Sequence, residues 1–99
     1  MKEKIYISGK INGLPKDVST HLFSKAEHYL ISLGYKTLNP WTINHTSDKW
    51  EDMIIEDLKY LKKCSGIYML SNWKDSYGAT VEYNFAKGMG LKILFEQTN

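Results

Sequence analysis

The chain alternates between two hydrophobic periods, and that alternation limits its fold more than any other feature. Four short runs are apolar with little interruption: Lys4-Ile5-Tyr6-Ile7-Ser8, Tyr35-Lys36-Thr37-Leu38, Gly66-Ile67-Tyr68-Met69-Leu70 and Leu91-Lys92-Ile93-Leu94-Phe95. Runs of this length, rich in β-branched and aromatic residues, suit strands buried on both faces. Between them lie three stretches of helical period. The first spans about Asp17 to Leu33, with Val18, Leu22, Ala26, Tyr29, Leu30 and Leu33 as its apolar stripe and Gly34 just past its end. In the second, Asp48 stands three residues before Glu51 as a capping box, and Trp50, Ile54, Leu58 and Leu61 form the inner face down to about Lys63. The third runs from Ala79 to Met89 and stops at Gly90. The order βαβαβαβ with continuous apolar strands predicts a parallel sheet of about four strands covered on both faces. That is a three-layer α/β sandwich of the flavodoxin or Rossmann kind. No linker or internal repeat divides residues 1–99, so one domain is expected.

Composition removes several function classes. Thirteen Lys+Arg against 11 Asp+Glu give +2, too balanced for a nucleic-acid polymer as partner. A single cysteine, Cys64, excludes a disulfide framework and precedes a buried strand, where an inert thiol is expected. No run approaches the ~18 apolar residues of a membrane span. The N-terminus has no apolar signal core, so no membrane role and a cytoplasmic location are expected. His21 and His28 share a helix face without a third ligand, and no metal is expected. Aromatic residues reach 13%, more than so short a chain can bury, so some should line a pocket or an interface. Trp50 is the candidate for an interface, because a small sheet exposes apolar area that a homodimer or higher homo-oligomer would cover.

In open parallel sheets, ligands bind at the carboxyl ends of the strands, where the strand order reverses. The loops there are Ser8–Pro15, Asn39–Ser47 and Ser71–Gly78. Glu82 shares a stripe with Ala79, Ala86 and Met89, so a carboxylate faces inward; it is either a nucleophile or an early-turn complement to the helix dipole. Asp57 interrupts the Trp50, Ile54, Leu61 face, as a general acid or as a buried aspartate with a structural partner. Ser8, Gly9, Lys10, Ile11, Asn12 and Gly13 form a loop whose amides can cradle an anion, although it is neither a P-loop nor a dinucleotide fingerprint. In Ser76-Tyr77-Gly78 the serine can meet a phosphate or simply cap the next helix. Trp41 and Trp73 border the crevice and can stack on a base or pack in the core. His45 is an isolated loop histidine with no visible partner.

Taken together, Ile5-Tyr6-Ile7-Ser8-Gly9-Lys10-Ile11, Asn39-Pro40, Glu56-Asp57-Leu58 and Ser76-Tyr77-Gly78-Ala79-Thr80-Val81-Glu82 resemble the nucleoside 2-deoxyribosyltransferase superfamily. That superfamily includes the 5′-monophosphate deoxynucleoside N-glycosidases. The resemblance covers nearly the whole chain, and the serine–glycine–glutamate spacing of the last segment is its most specific part. It implies a retaining N-glycosidase or deoxyribosyltransferase acting on a small nucleotide or nucleoside without a cofactor. Glu82 matches the nucleophile, Asp57 the acid that helps the base depart, and Tyr6 an aromatic beside the nucleophile. Ser76 matches the serine that contacts a 5′-phosphate, and Gly9, Lys10 and Asn12 match the loop that wraps sugar and phosphate, with Ser8, Ile11, Gly78 and Trp73 alongside. Ser65 departs from the family, which usually has an aspartate there. Longer relatives add an element beyond the fourth strand that completes a neighbouring subunit's site, whereas here only Glu96 to Asn99 follow. The alternative of another class is a nucleotide-binding module of the same fold without turnover; a third is an interaction surface built from exposed aromatics.

Overall fold

A computed structural model describes residues 2–97. The elements are β1 (Lys4–Ser8), α1 (Lys16–Ser32), β2 (Lys36–Leu38), α2 (Trp50–Leu61), β3 (Gly66–Met69), α3 (Tyr77–Gly88) and β4 (Lys92–Phe95), with single 3-10 turns at Pro40–Thr42 and Trp73–Asp75. All neighbouring strands are parallel and lie in the order β2-β1-β3-β4. The chain steps to one side of β1 and then to the other, so the order reverses between β1 and β3. Tyr6 pairs with Leu38 on one side and with Ile67 on the other, and Ser8 pairs with Met69. Among the described residues, no helix is long and apolar enough to cross a membrane.

The twofold period of β1 divides the core into two layers. Ile5 and Ile7 join Tyr68 and Leu70 against Phe23, Ala26 and Leu30 of α1. Tyr6 joins Ile67 and Met69 on the opposite face, against Leu61 of α2 and Ala79 and Ala86 of α3. The central strands β1, after Lys4, and β3 are therefore buried on both faces and read as unbroken apolar runs, whereas the edge strands β2 and β4 stay partly exposed. Gly34 and Gly90 adopt φ of 95° and 73°, the left-handed conformation that ends α1 and α3.

Three local expectations change. The buried face of α1 is Ser19, Phe23, Ala26 and Leu30, so the stripe is rotated from the one drawn through Val18, Tyr29 and Leu33, which are exposed. The buried serine explains the shift: its hydroxyl meets the Lys10 carbonyl at 3.4 Å and the Trp41 indole N–H at 3.2 Å, so a polar residue occupies an inner position without penalty. Asp48 does not cap α2. Lys49 is the N-cap with no side-chain bond, while Ser47 Oγ accepts from the Lys49 amide and donates to Asp52. α3 starts at Tyr77, two residues before Ala79, because Ser76 Oγ accepts from the Ala79 amide at 3.1 Å; Met89 falls outside the helix and is exposed.

Candidate active site

A cavity of about 440 Å³ opens at the carboxyl ends of β1, β2 and β3, between the first loop, the Asn39–Ser47 loop, the segment before α3 and the helices α2 and α3. Its position is the reversal of strand order, where two βα loops diverge and leave room. Gly9 shapes its floor. A Cβ there would lie 2.5 Å from Leu70 Cδ1, so only glycine lets the chain leave β1 this close to β3. The Lys10 amide then donates to Asn72 Oδ1 at 3.0 Å and ties the first loop to the segment after β3.

Glu82 stands in the wall, 5% exposed. Tyr6 Oη donates to its Oε2 and Ser8 Oγ to its Oε1, each at 2.7 Å. Strand period places Tyr6 and Ser8 on the same face of β1, so two hydroxyls converge on one carboxyl group. No cation pairs with Glu82 among the described residues. Burial pushes its pKa up to about 8, against the lowering effect of the Ser8 and Tyr6 hydrogen bonds; the nearby Asp57 carboxylate adds to the rise. Burial also raises the Tyr6 phenol far above its ordinary value, with Glu82 and Asp57 contributing, so Tyr6 is a fixed donor.

Asp57 lies on α2 in the same cavity, buried. His45 Nε2 meets Asp57 Oδ1 at 2.7 Å and donates to the carboxylate in the tautomer or charge state that carries a proton on Nε2. Burial raises the Asp57 pKa, and the hydrogen bond from His45 opposes that rise. The sequence left His45 without a partner. The one signal that could have found it is its place in a loop bordering the crevice. Glu56 holds that loop down, accepting from the Thr46 amide at 3.1 Å and from its hydroxyl at 3.0 Å.

The cavity brings together Tyr6, Gly9, Ile11, Asn12, Asp57, Ser76, Gly78 and Glu82 of the expected residues, and Ser8 reaches it through Glu82. Two expected residues stand elsewhere. Trp73 packs on Tyr83 at a ring-centre distance of 4.6 Å and on Phe95 at 6.3 Å, in the aromatic layer beside β4. Lys10 turns its ammonium over Gly13 within its own loop. Trp41 does line the cavity, and so does the half-buried Trp50, whose ring lies 5.4 Å from that of the exposed Tyr77.

A family profile described as a domain of unknown function, DUF4406, matches residues 3–95. The chain belongs to the DUF4406 family. No curated protein sequence matches it significantly. Among solved structures, this DUF4406 chain is similar to a 2-desoxiribosyltransferase from Leishmania mexicana, with a TM-score of 0.71 and 15% identity over 98% of this chain. It is also similar to the CMP N-glycosidase BcmB of Clostridium botulinum, with a TM-score of 0.59 and 16% identity over 94% of this chain. The DUF4406 chain spans 65% and 67% of the lengths of those two proteins. At such identities the likeness establishes a shared fold, and it is the fold that the sequence resemblance implied.

Proposed function

We propose that this DUF4406 protein cleaves the bond between a base and a sugar in a nucleoside or nucleotide, through a covalent glycosyl-Glu82. One observation carries this reading: a buried carboxyl group without a cation, held by two hydroxyl donors in a cavity that also holds a second acid. In the ionised form, a Glu82 oxygen attacks the anomeric carbon. The carbon–nitrogen bond breaks with its electron pair passing to the base nitrogen, which takes a proton from Asp57 directly or through the base's own ring. Tyr6 and Ser8 hold the carboxylate in line and release it again. Water, or a second base, then attacks the same carbon on the face the first base left, giving its proton to Asp57 and freeing Glu82. Two inversions give net retention. Trp41 and Trp50 supply flat apolar surface for the leaving base.

The working form has the single proton of the acid pair on Asp57 and not on Glu82. Because burial holds the proton on Glu82 up to about pH 8, that form is a minor one at neutral pH. The same observation favours a second reading, a binding module in which neutral Glu82 hydrogen-bonds a ligand without attacking it. Incubating the purified chain with nucleosides and their 5′-monophosphates, and separating free base by chromatography, distinguishes the two. Base release that Glu82→Gln and Glu82→Ala reduce by roughly three orders of magnitude or more supports the enzyme. Release undiminished in both variants refutes a role for Glu82, and tight binding without release supports the binding module.

A further inference from the structure

Among the described residues, the cavity lining holds three carboxyl groups and one basic side chain, His45. Asp57 and Glu82 form part of its wall and Asp75 its rim, while no lysine lines it among the described residues. The chain contains no arginine, so no bidentate guanidinium clamp is available from it. Lys10 Nζ stands 3.8 Å from where a Gly13 Cβ would lie, folded onto its own loop, and Lys16 Nζ rests 6.0 Å from the centre of the Trp41 ring. The Ser76 hydroxyl oxygen accepts from the Ala79 amide, which leaves its O–H as the one neutral donor that this side chain could offer a phosphate. Asp75 makes no ion pair among the described residues. A phosphomonoester carries about −1.5 to −2 charges at pH 7 and would meet no lysine or arginine in the described lining of this cavity.

We propose, resting on the glycosidase reading above, that the cavity takes uncharged nucleosides and discriminates against their 5′-monophosphates, with Asp75 setting part of that preference. The apolar walls around Trp41, Trp50, Met53 and Ile54 accept a neutral base. An anion would lose hydration beside two or three carboxyl groups. Asp75 itself is exposed, so water and salt screen it, and its share of the discrimination is a few-fold and salt-dependent.

The test uses the full chain with adenosine, guanosine, cytidine, uridine and their 2′-deoxy counterparts, each paired with its 5′-monophosphate. Dissociation constants come from calorimetry on wild type and Glu82→Gln, and kcat/KM from base release by wild type. Within the best pair, the nucleoside is expected to bind and react at least about tenfold better, and Asp75→Asn to improve the monophosphate by about threefold at low salt with the nucleoside little changed. Monophosphates that bind or react as well as nucleosides overturn the charge argument while leaving the glycosidase reading intact. A nucleoside preference in binding with no base released from either class supports the charge argument and removes the catalytic reading. Failure of both classes to bind overturns both.

Discussion

Replacing Glu82 by glutamine should flatten the pH dependence of the fold's stability. Glutamine has the shape of the protonated acid and remains neutral at every pH. Its carbonyl oxygen can accept from one of the two hydroxyls and its amide can donate to the other, so the Tyr6 and Ser8 contacts survive. In wild type, burial raises the carboxyl pKa from 4.5 to about 8. The native state then holds the proton more tightly than the unfolded chain does. This contribution is fully present below about pH 4.5 and is lost as the pH climbs to about 8. At about 1.4 kcal/mol per pH unit the full span is on the order of 5 kcal/mol, and about 4 kcal/mol of it falls between pH 5 and 8.5. Water in the cavity reduces that figure, so it is an upper bound. Urea unfolding of both proteins across this range reads the difference directly, because carboxylates remote from Glu82 cancel in the comparison. Glu82→Gln should match wild type near pH 5 and exceed it by roughly 2–4 kcal/mol near pH 8.5. A difference that stays constant within about 0.5 kcal/mol would refute the reasoning, for it would mean that Glu82 titrates in the fold as it does in water.

Other substitutions probe the supports of the site. Gly9→Ala places a methyl 2.5 Å from Leu70 Cδ1 and should cost about 1–3 kcal/mol in urea unfolding; unchanged stability would show that the floor of the cavity is soft. Ser76→Ala removes the cap on α3 and should cost about 1 kcal/mol, read as a lowered Tm even if no ligand contacts the serine. His45→Ala takes away the hydrogen bond that lowers the Asp57 pKa, so Asp57 should titrate higher and the limb of the kcat/KM profile that reports it should move to higher pH. An unmoved profile with reduced kcat would assign His45 to substrate contact instead.

The layering of the fold was legible because hydrophobic period is a local property. Residues two apart on β1 must face the same side, and the unbroken apolar runs required helices on both faces. The inward directions of Glu82 and Asp57 followed from the same kind of count, each being a charge on an otherwise apolar helix stripe. The count failed where a polar residue was satisfied inside. Ser19 belongs to the buried face of α1 because the Lys10 carbonyl and the Trp41 indole meet it, and nothing near it in sequence announces those partners. It also failed at α2, where Ser47 and Asp52 shape the start of the helix and Asp48 does not.

The loop residues mark the boundary most clearly. Trp41 and Trp73 were equal candidates by position, yet Trp41 lines the cavity and Trp73 lies in the aromatic layer beside β4. His45 gained a partner twelve residues away only because the loop folds back on α2. The sequence by itself determined the element order, the parallel sheet and the inward acids, since these depend on periods of two and 3.6 residues. Only the tertiary structure decided which loops meet, and with them the Glu82 hydroxyl pair, the His45–Asp57 contact and the acid-lined cavity. The strand order β2-β1-β3-β4 sets those meetings, and hydrophobic period carries no record of which strands become neighbours.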